Sequence, residues 1–296
     1  MTKTVQVRAF AKINAGLKVL AKRPDGFHEI RTVYQTVGLA DRLSVGLSPR
    51  GKGIRLECSH PELSSGLDNL VYRAAELWQL ARGVKGGISL RLEKKIPMGA
   101  GLGGGSSDAA STLMALERLT GDRLDLAARI EIAARLGSDV PLFLLGGRVL
   151  GCGRGEEIFP LTDLPARHCL IVFPGFSVST AEAYGALGLR LTEQAKGRKM
   201  TSLGKRSPFP LEVWGPAEND FEWFVFARWP ELAKAKRQLI RAGAETASLT
   251  GSGSALYAVY ESAQQLNRAA SLTPAGWKVF KVRTLPRATY LRRLFA

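Results

Sequence analysis

Alternating apolar and polar residues mark a β-strand at the start of the chain. The apolar positions Val5, Val7, Ala9, Ala11 and Ile13 alternate with Gln6, Arg8, Phe10 and Lys12. This period of two predicts a strand and not an amphipathic helix. After the turn Pro24-Asp25-Gly26, similar patterns predict strands over residues 32–37, 43–47, 54–57 and 88–93.

Helical spacing of apolar residues predicts three helices in the first half. One begins at Asp68, one spans 108–119, and one spans 126–136 with Asp125 as its N-cap and Gly137 at its end. In the second half the predicted elements are, in order, a strand over 169–173, a short helix after the capping box at 179–182, helices over 219–227 and 231–242, two strands joined by a glycine turn within 247–260, a helix over 263–270 and a strand over 278–283. Because strands come first and helices mix with strands later, the predicted fold class is α+β.

The segment 97–107 carries the strongest chemical signal in the chain. It lies between a predicted strand and a predicted helix, and it has five glycines in the seven residues from Gly99 to Gly105. Glycine permits positive φ and a close approach of the backbone to a ligand. A glycine loop that opens a helix also directs unpaired N–H groups and the positive end of the helix dipole towards an anion. The segment therefore predicts a phosphate-binding loop.

Other known types of glycine-rich loop fit this segment less well. Gly99, Gly101 and Gly104 match the dinucleotide spacing G-x-G-x-x-G, but the preceding strand alternates instead of forming a continuous apolar run. The Gly-Lys-Ser/Thr ending of a P-loop is missing, as are the HRD and DFG segments of protein kinases. A flexible linker is disfavoured because a strand and a helix flank the segment directly.

Several short motifs, kept in order along the chain, carry a family resemblance. They are Ala11-Lys12-Ile13-Asn14, Arg23-Pro24-Asp25-Gly26-Phe27-His28-Glu29, the glycine segment and Gly137-Ser138-Asp139-Val140-Pro141-Leu142-Phe143. The glycine segment resembles the ATP-binding signature of the GHMP kinases, which phosphorylate small metabolites. Taken together, the motifs resemble one branch of that family, whose acceptor is a polyol linked to cytidine diphosphate.

The resemblance implies the two-domain GHMP kinase fold, with the active site between the domains. An N-terminal ATP-binding domain would span 1–165 and a C-terminal domain 166–296, with ATP and Mg²⁺ as cofactors. The implied ATP-binding residues are Pro97, Met98, Gly99, Ala100, Gly101, Leu102, Gly103, Gly104, Gly105, Ser106 and Ser107, together with Asn69 near the adenine. A helix cap explains Asn69 equally well. The sequence does not identify protein ligands for Mg²⁺.

Lys12 and Asp139 are the predicted catalytic pair. Lys12 lies on the polar face of the first strand, where a lysine is ordinarily exposed. Asp139 follows a helix end, where an N-cap is the alternative. The resemblance implies that Lys12 contacts the transferring phosphate or the acceptor oxygen and that Asp139 accepts the hydroxyl proton. Whether Asp139 is a base or mainly orients Lys12 stays open.

Five residues make up the predicted acceptor site. Asn14 shares a strand face with Lys12 and would bond the acceptor alcohol. The resemblance implies that Phe27 stacks on cytosine and that His28 bonds the edge of the base, although the family more often has tyrosine at position 27. Tyr184, four residues after Thr180, is the predicted opposing aromatic wall. Taken alone, such residues are more often core or surface positions.

Further matches and departures complete the comparison with the family. Residues 250–254, Thr-Gly-Ser-Gly-Ser, match a second glycine motif and also fit a tight turn between two strands. Asn219-Asp220-Phe221 matches with an expected structural role. Ala15-Gly16 replaces a bulkier apolar pair, and the basic, aperiodic stretch 192–216 is predicted to be an exposed loop without a family pattern.

Composition and charge limit the classes of function that the chain could have. A chain of 296 residues with 45% hydrophobic residues can bury a large core. Its net charge of +16 suits anionic small-molecule substrates, but it also attracts polyanions. The charge is scattered and has no arginine-rich or RRM-type signature, so no specific nucleic-acid partner is expected. The alternatives are another GHMP kinase, for homoserine, mevalonate or a sugar, and a non-catalytic nucleic-acid-binding protein.

The cysteines and apolar runs bear on location. Cys58, Cys152 and Cys169 lack metal-ligand spacing and are typical of reduced cytosolic thiols. The longest apolar stretch, 140–150, is interrupted by glycine and arginine, so no membrane span is predicted. The first 24 residues contain no acidic residue, as in a transit peptide, but their strand pattern argues against one. We expect a cytoplasmic protein, and the sequence does not predict its oligomeric state.

Overall fold

A six-stranded sheet organises the first half of the protein. The computed structural model describes residues 3–195, 214 and 217–295. β1 (Lys3–Lys22) and β2 (His28–Ser48) pair antiparallel along nearly their whole lengths. The sheet order is β3 (Ile54–Cys58), β4 (Gly87–Glu93), β2, β5 (Arg148–Cys152), β6 (Glu157–Pro160), with β1 pairing to β2 off this path. Only the β3–β4 pair in this sheet is parallel.

Four helices cover this sheet. They are α1 (Leu70–Arg82), α2 (Gly104–Thr120), α3 (Leu126–Leu136) and α4 (Val140–Leu145). α2 is the most enclosed, since it is buried from Ser107 through Leu113 and again from Ala115 to Glu117. Its apolar side chains join Trp78 of α1 and Phe143 of α4 in the first core. This packing fixes the helix that follows the glycine loop.

A four-stranded antiparallel sheet organises the second half. Its order is β10 (Lys278–Arg283), β7 (His168–Phe173), β9 (Leu256–Tyr260), β8 (Thr246–Leu249). α5 (Thr180–Ala195), α6 (Glu222–Arg228), α7 (Pro230–Arg241) and α8 (Ala263–Ser271) accompany it. Among the helices of the described ranges, none combines the length and apolarity needed to cross a membrane.

Each half of the molecule contributes residues to the hydrophobic core of the other half. Leu17 and Val19 of β1 belong to the second core, and Leu17 forms an isolated bridge to Asn219. In return, α9 (Arg287–Leu294) places Tyr290 and Leu294 in the first core. β1 therefore runs from one half into the other. The predicted domain boundary at 165/166 stays a prediction.

Several sequence predictions are confirmed. Strands occupy the positions predicted for β4, β7 and β10, and the 247–260 segment forms two strands joined by a turn. α3 spans the predicted residues, and the side chain of Asp125 accepts the N–H of Ala128 at 2.8 Å. These elements have strong apolar periodicity or an identifiable cap.

Other boundaries were wrong. The predicted strands 32–37 and 43–47 are one strand, β2, and β1 extends nine residues beyond Ile13. Register shifts after Phe10, Asn14 and Val19 let the long hairpin bend without breaking. The short elements α4 and β5 were missed because glycines interrupt the apolar stretch 140–150, and β6 was missed because it has only four residues. α9 was missed because half of its eight residues are polar or basic, which leaves only a short apolar pattern.

Three helix predictions also need correction. α2 begins at Gly104, four residues before its predicted start. α5 has 16 residues and is not short, so residues 192–195 of the predicted loop are helical. Beyond residue 195 the structure describes only residues 214 and 217–295. Most of the predicted loop 192–216 therefore lies outside the described residues. α6 begins at Glu222 because the side chain of Asn219 accepts the N–H of Phe221 before it.

Candidate active site

Two adjoining cavities meet at the glycine loop. The larger, about 720 Å³, lies between the halves of the molecule, with Lys12 and Asp139 on one side and Tyr184 and Ser252 on the other. The smaller, about 400 Å³, lies between the glycine loop and the start of α1. Gly101, Gly103 and Ser106 line both cavities. A group bound in one cavity can therefore reach the other past the loop. We call them the acceptor cavity and the loop cavity.

Lys12 is buried at the junction and is not an exposed strand residue. Only 3% of its side chain is exposed. Its backbone N–H donates to the carbonyl of Leu102 in the glycine loop at 3.0 Å. Its ammonium donates to Oδ1 of Asn14 at 2.7 Å and lies 3.3 Å from Oδ2 of Asp139. The ammonium is thus fixed in the wall of the acceptor cavity, and its side chain packs beside Gly103, which lines both cavities.

Asp139 precedes α4 but does not act as its cap. Its carboxylate makes no capping hydrogen bond to the helix. It faces Lys12 through Oδ2 and accepts a hydrogen bond from the hydroxyl of Tyr34 through Oδ1, at 2.9 Å. Burial, together with the Asp139 charge, raises the pKa of Tyr34, so the phenol stays protonated and can donate. The carboxylate is about 30% exposed towards the cavity.

Asn14 is committed to hydrogen bonds within the protein. Besides the Lys12 ammonium, its Oδ1 accepts the N–H of Gly251 at 2.8 Å, and its Nδ2 donates to Thr32 at 2.7 Å. The residue is 1% exposed although it contributes to the cavity wall. The amide therefore joins Lys12 to the second glycine turn. Contact between Asn14 and the acceptor alcohol stays a prediction.

The glycine loop is pressed between the two halves. Gly101 and Gly103 have φ of 74° and 70°, the left-handed region that favours glycine. A Cβ on Gly101 would lie 2.0 Å from the carbonyl oxygen of Thr250, and one on Gly103 would lie 3.0 Å from Cγ of Lys12. No side chain fits at either position without moving the neighbouring residue. The loop ends at the N-terminus of α2, whose free N–H groups favour an anion.

The residues predicted to bind ATP line the loop cavity, with one exception. Residues 97–106 and Asn69 form its walls. Asn69 also caps α1, because its Oδ1 accepts the N–H of Val71 at 3.0 Å. The helix-cap interpretation is thus confirmed, and contact with the adenine stays a prediction. Ser107 lines neither cavity. It is fully buried, and its hydroxyl has no hydrogen-bond partner among the described residues.

Aromatic residues line the far end of the acceptor cavity. Phe27 is 52% exposed, and the guanidinium of Arg154 lies 4.7 Å from its ring centroid. The rings of His28 and Tyr184 stack at 4.7 Å and 20°, and Tyr184 and Phe221 pack edge to face with an interplanar angle of 89°. Since a base sandwiched between two rings separates them by about 7 Å, no base fits between His28 and Tyr184 in this arrangement.

The imidazole of His28 is suited to a neutral ligand edge. Burial, with a smaller contribution from the Lys22 charge, lowers its pKa. Its Nε2 is buried and has no hydrogen-bond partner among the described residues. Thr180 lies beside this site, where its hydroxyl shares a 2.9 Å hydrogen bond with Ser252 of the second glycine turn. The five predicted acceptor residues thus all line the acceptor cavity.

The sequence did not reveal every residue of the site. Tyr34 was not singled out, because an aromatic residue in a predicted strand ordinarily belongs to the core. Lys22, Arg154 and Phe221 also line the acceptor cavity. Of these residues, only Phe221 could have been found from the sequence, because it lies within a motif that matches the family. Within the described ranges, no cluster of three or more His, Cys, Asp or Glu side chains is arranged to hold a metal ion.

Comparison with known protein families shows which proteins this chain resembles. Residues 69–147 match the GHMP kinases N terminal domain, and residues 219–272 match the GHMP kinases C terminal domain. The 4-diphosphocytidyl-2-C-methyl-D-erythritol kinase of Solibacter usitatus (strain Ellin6076) is 47% identical over 92% of this chain and 86% of its own length. The enzyme of the same name from Pelotomaculum thermopropionicum is 42% identical over 87% of this chain and 91% of its own length.

Solved structures of GHMP kinases also resemble this chain. A crystal structure of 4-(cytidine 5'-diphospho)-2C-methyl-D-erythritol kinase superposes with a TM-score of 0.74 at 36% identity, covering 94% of this chain and 98% of that one. Homoserine kinase from Cytophaga hutchinsonii, 18% identical with a TM-score of 0.69, covers 96% of this chain and 95% of its own, and shares the fold. The predicted α+β fold with two GHMP kinase domains is confirmed. The location of the active site between the domains stays a prediction. The chain is an ATP-dependent small-molecule kinase that belongs to the GHMP kinase family and, within it, to the 4-diphosphocytidyl-2-C-methyl-D-erythritol kinases.

Proposed function

We propose that this enzyme transfers the γ-phosphoryl group of ATP to the 2-hydroxyl of 4-diphosphocytidyl-2-C-methyl-D-erythritol. The products are the 2-phosphate and ADP, in the non-mevalonate route to isoprenoid precursors. The relatives that carry this name match over most of the chain. The observation that carries the proposal is the Lys12–Asp139 ion pair at the junction of the two cavities.

In this proposal the loop cavity holds ATP, with its phosphates on the glycine loop. The N–H groups at the start of α2 and the backbone of residues 99–105 face the phosphates. Asn69, at the opposite wall, lies near the adenine. Gly101 and Gly103 let the loop backbone pack closely against Thr250 and Lys12, so a γ-phosphate on the loop would lie beside Lys12. This arrangement aligns the donor with the acceptor.

The reaction itself requires one proton transfer. The 2-hydroxyl oxygen forms a bond to the γ-phosphorus while the bond to the β,γ-bridging oxygen breaks, and the hydroxyl proton passes to Asp139. Lys12 stabilises the negative charge on the transferring phosphoryl group. Tyr34 and Lys12 hold opposite oxygens of the Asp139 carboxylate, which orients it towards the hydroxyl. Asn14 keeps the ammonium in place.

Mg²⁺ is part of the proposed reaction. When bound, it would neutralise charge on the nucleotide phosphates. The oxygen donors that Mg²⁺ prefers are available at the cavity junction in Ser106, which lines both cavities. Ser106 would complete a coordination shell supplied mainly by phosphate oxygens and water.

The cytidine end of the substrate belongs with Phe27 and His28. The exposed ring of Phe27 offers a stacking surface, and the unpartnered Nε2 of His28 offers a hydrogen bond to the edge of the base. Tyr184 would form the opposing wall after its stack with His28 opens. Lys22 and Arg154 add positive charge to this cavity, which suits the diphosphate. We place the enzyme in the cytoplasm, where the free thiols of its three cysteines would stay reduced.

A coupled ADP-release assay with alternative acceptors tests the proposal. The purified enzyme, ATP and Mg²⁺ are incubated with 4-diphosphocytidyl-2-C-methyl-D-erythritol, homoserine or mevalonate. The proposal predicts turnover of the cytidine substrate and at least about a hundredfold lower kcat/KM for the others, since the site has polar groups that only the cytidine would satisfy. Preferential turnover of another alcohol would overturn it.

A further inference from the structure

A second charged cluster lies behind the glycine loop, apart from Lys12 and Asp139. It consists of Asp41 on β2, Lys94 just after β4 and Asp108 on α2. The ammonium of Lys94 bonds to Oδ2 of Asp41 and, at 2.7 Å, to Oδ2 of Asp108. The three side chains are almost fully buried, with 0%, 6% and 2% of their surfaces exposed. We call it the Asp41–Lys94–Asp108 cluster.

The cluster holds both ends of the glycine loop. Oδ1 of Asp41 accepts the backbone N–H groups of Lys95 and Ile96, which lead into the loop. Asp108 lies in the first turns of α2, which lead out of it. Lys94 joins the side-chain carboxyl groups of Asp41 and Asp108 and also touches the loop, since a Cβ on Gly104 would lie 3.2 Å from its Nζ. Two segments separated by the whole loop are thereby tied together.

Stability alone does not account for such a cluster. Burial of charged groups carries a large desolvation cost, and apolar replacements of similar size are often at least as stable. Lys94 and Asp108 also line the loop cavity together with the glycine loop. Oδ1 of Asp108 is buried without a hydrogen-bond partner among the described residues, so the cluster is not fully satisfied internally. The desolvation cost of the cluster is thus associated with the nucleotide site.

We propose that Asp41 and Asp108, acting through Lys94, are positioning residues that keep the glycine loop in the shape that receives the nucleotide phosphates. This inference rests on the proposed function in taking ATP as the ligand of the loop cavity. A loop held at both ends loses less conformational freedom on binding. Release of either end therefore weakens nucleotide binding, while the acceptor cavity and the Lys12–Asp139 pair keep their own contacts.

The test compares Asp41→Asn and Asp108→Asn with a matched control. Asp163→Asn serves as the control, because Asp163 also accepts backbone N–H groups, from Arg148 and Arg287, but lies outside both cavities. Binding of a non-hydrolysable ATP analogue with Mg²⁺ is measured by calorimetry without an acceptor. KM for ATP, KM for the acceptor and kcat are measured in parallel, with melting temperatures to monitor folding.

We expect the Kd of the analogue and the KM for ATP to rise about tenfold or more in both cluster variants, as for loss of a charge-assisted hydrogen bond. KM for the acceptor should change by less than about twofold, and Asp163→Asn should leave all three constants unchanged. Unchanged analogue affinity in a folded Asp108→Asn enzyme would overturn the inference, even if its melting temperature were lower. If Asp41→Asn does not fold, the result for Asp108→Asn alone decides the test. Because analogue binding needs no acceptor, its loss is distinguishable from failure of the proposed substrate.

Discussion

The hydroxyl of Tyr34 donates a hydrogen bond to Oδ1 of Asp139, 2.9 Å away, on the oxygen that Lys12 does not approach. Tyr34 lies on β2 and Asp139 precedes α4, 105 residues later in the chain. The ring of Tyr34 also lies beside the Lys12 ammonium, 5.5 Å from centroid to Nζ. One buried phenol therefore fixes the carboxylate and supports the cation. This arrangement presents the catalytic pair in a single orientation.

Replacement of Tyr34 by phenylalanine should slow the reaction without unfolding the protein. The ring and its packing remain, but Asp139 loses a hydrogen bond. A hydrogen bond to a charged group contributes about 1.5–3 kcal/mol, so we expect kcat to fall about ten- to a hundredfold with little change in either KM. Steady-state kinetics check this. Tyr260→Phe is the control, because its hydroxyl bonds to Leu239 away from the site, and an equal effect there would contradict a specific role for Tyr34.

Replacement of Phe27 by alanine should mainly weaken binding of the cytidine substrate. Loss of base–aromatic stacking contributes about 1–3 kcal/mol, which predicts a rise in its KM of about five- to a hundredfold. KM for ATP should hardly change, and Phe27→Tyr should be nearly neutral. Because Phe27 is about half exposed, its loss should have little effect on folding. A lower melting temperature with an unchanged KM would instead indicate a packing role.

His28 should make binding of the cytidine substrate dependent on pH. Burial lowers the pKa of its imidazole, so the neutral form persists below the ordinary range near 6.5. As the pH falls through this lowered pKa, the imidazole gains a charge in a site suited to the neutral form, and KM for the cytidine substrate should rise. Kinetics between about pH 5 and 8 check this. The rise should disappear in His28→Asn, and its persistence there would assign the titration to another group.

Asp108 should reduce stability as the pH rises. Burial is the main cause that raises its pKa, to about 8 from an ordinary 3.8, although Lys94 opposes the change. Between these values the native state binds a proton that the unfolded chain has released, so the unfolding free energy contributed by this group falls as pH increases. Urea unfolding of the wild type and Asp108→Asn, at about pH 5 and pH 8.5, measures the difference. Identical pH dependence in both proteins would contradict this titration.

Much of the active site could be predicted from the sequence because its residues occur in short, ordered motifs. Lys12, Asp139 and the glycine loop each looked ordinary or ambiguous alone, and the set of motifs indicated a shared function. The structure explains how they meet: β1 carries Lys12 to the glycine loop, and α4 presents Asp139 from the other side. Their detailed roles stay predictions.

What could not be predicted depends on contacts between distant segments. The Tyr34 hydroxyl has a role only because β2 passes Asp139, and no local pattern distinguishes it from a core tyrosine. The Asp41–Lys94–Asp108 cluster joins β2, the end of β4 and α2 for the same reason. The continuity of β2 likewise depends on distant segments, since Val37 forms a bridge to Thr284 where the pairing with β1 is interrupted.

The turnover of Lys12→Ala and Asp139→Ala under saturating ATP and cytidine substrate tests the central claim most directly. If this pair transfers the proton and stabilises the phosphoryl group, kcat should fall at least about a hundredfold in each variant. Both proteins should remain folded, because the pair lines a cavity. Calorimetry should still detect the ATP analogue, which separates chemistry from nucleotide binding. Near-normal kcat in either folded variant would contradict the claim and remove that residue from the mechanism.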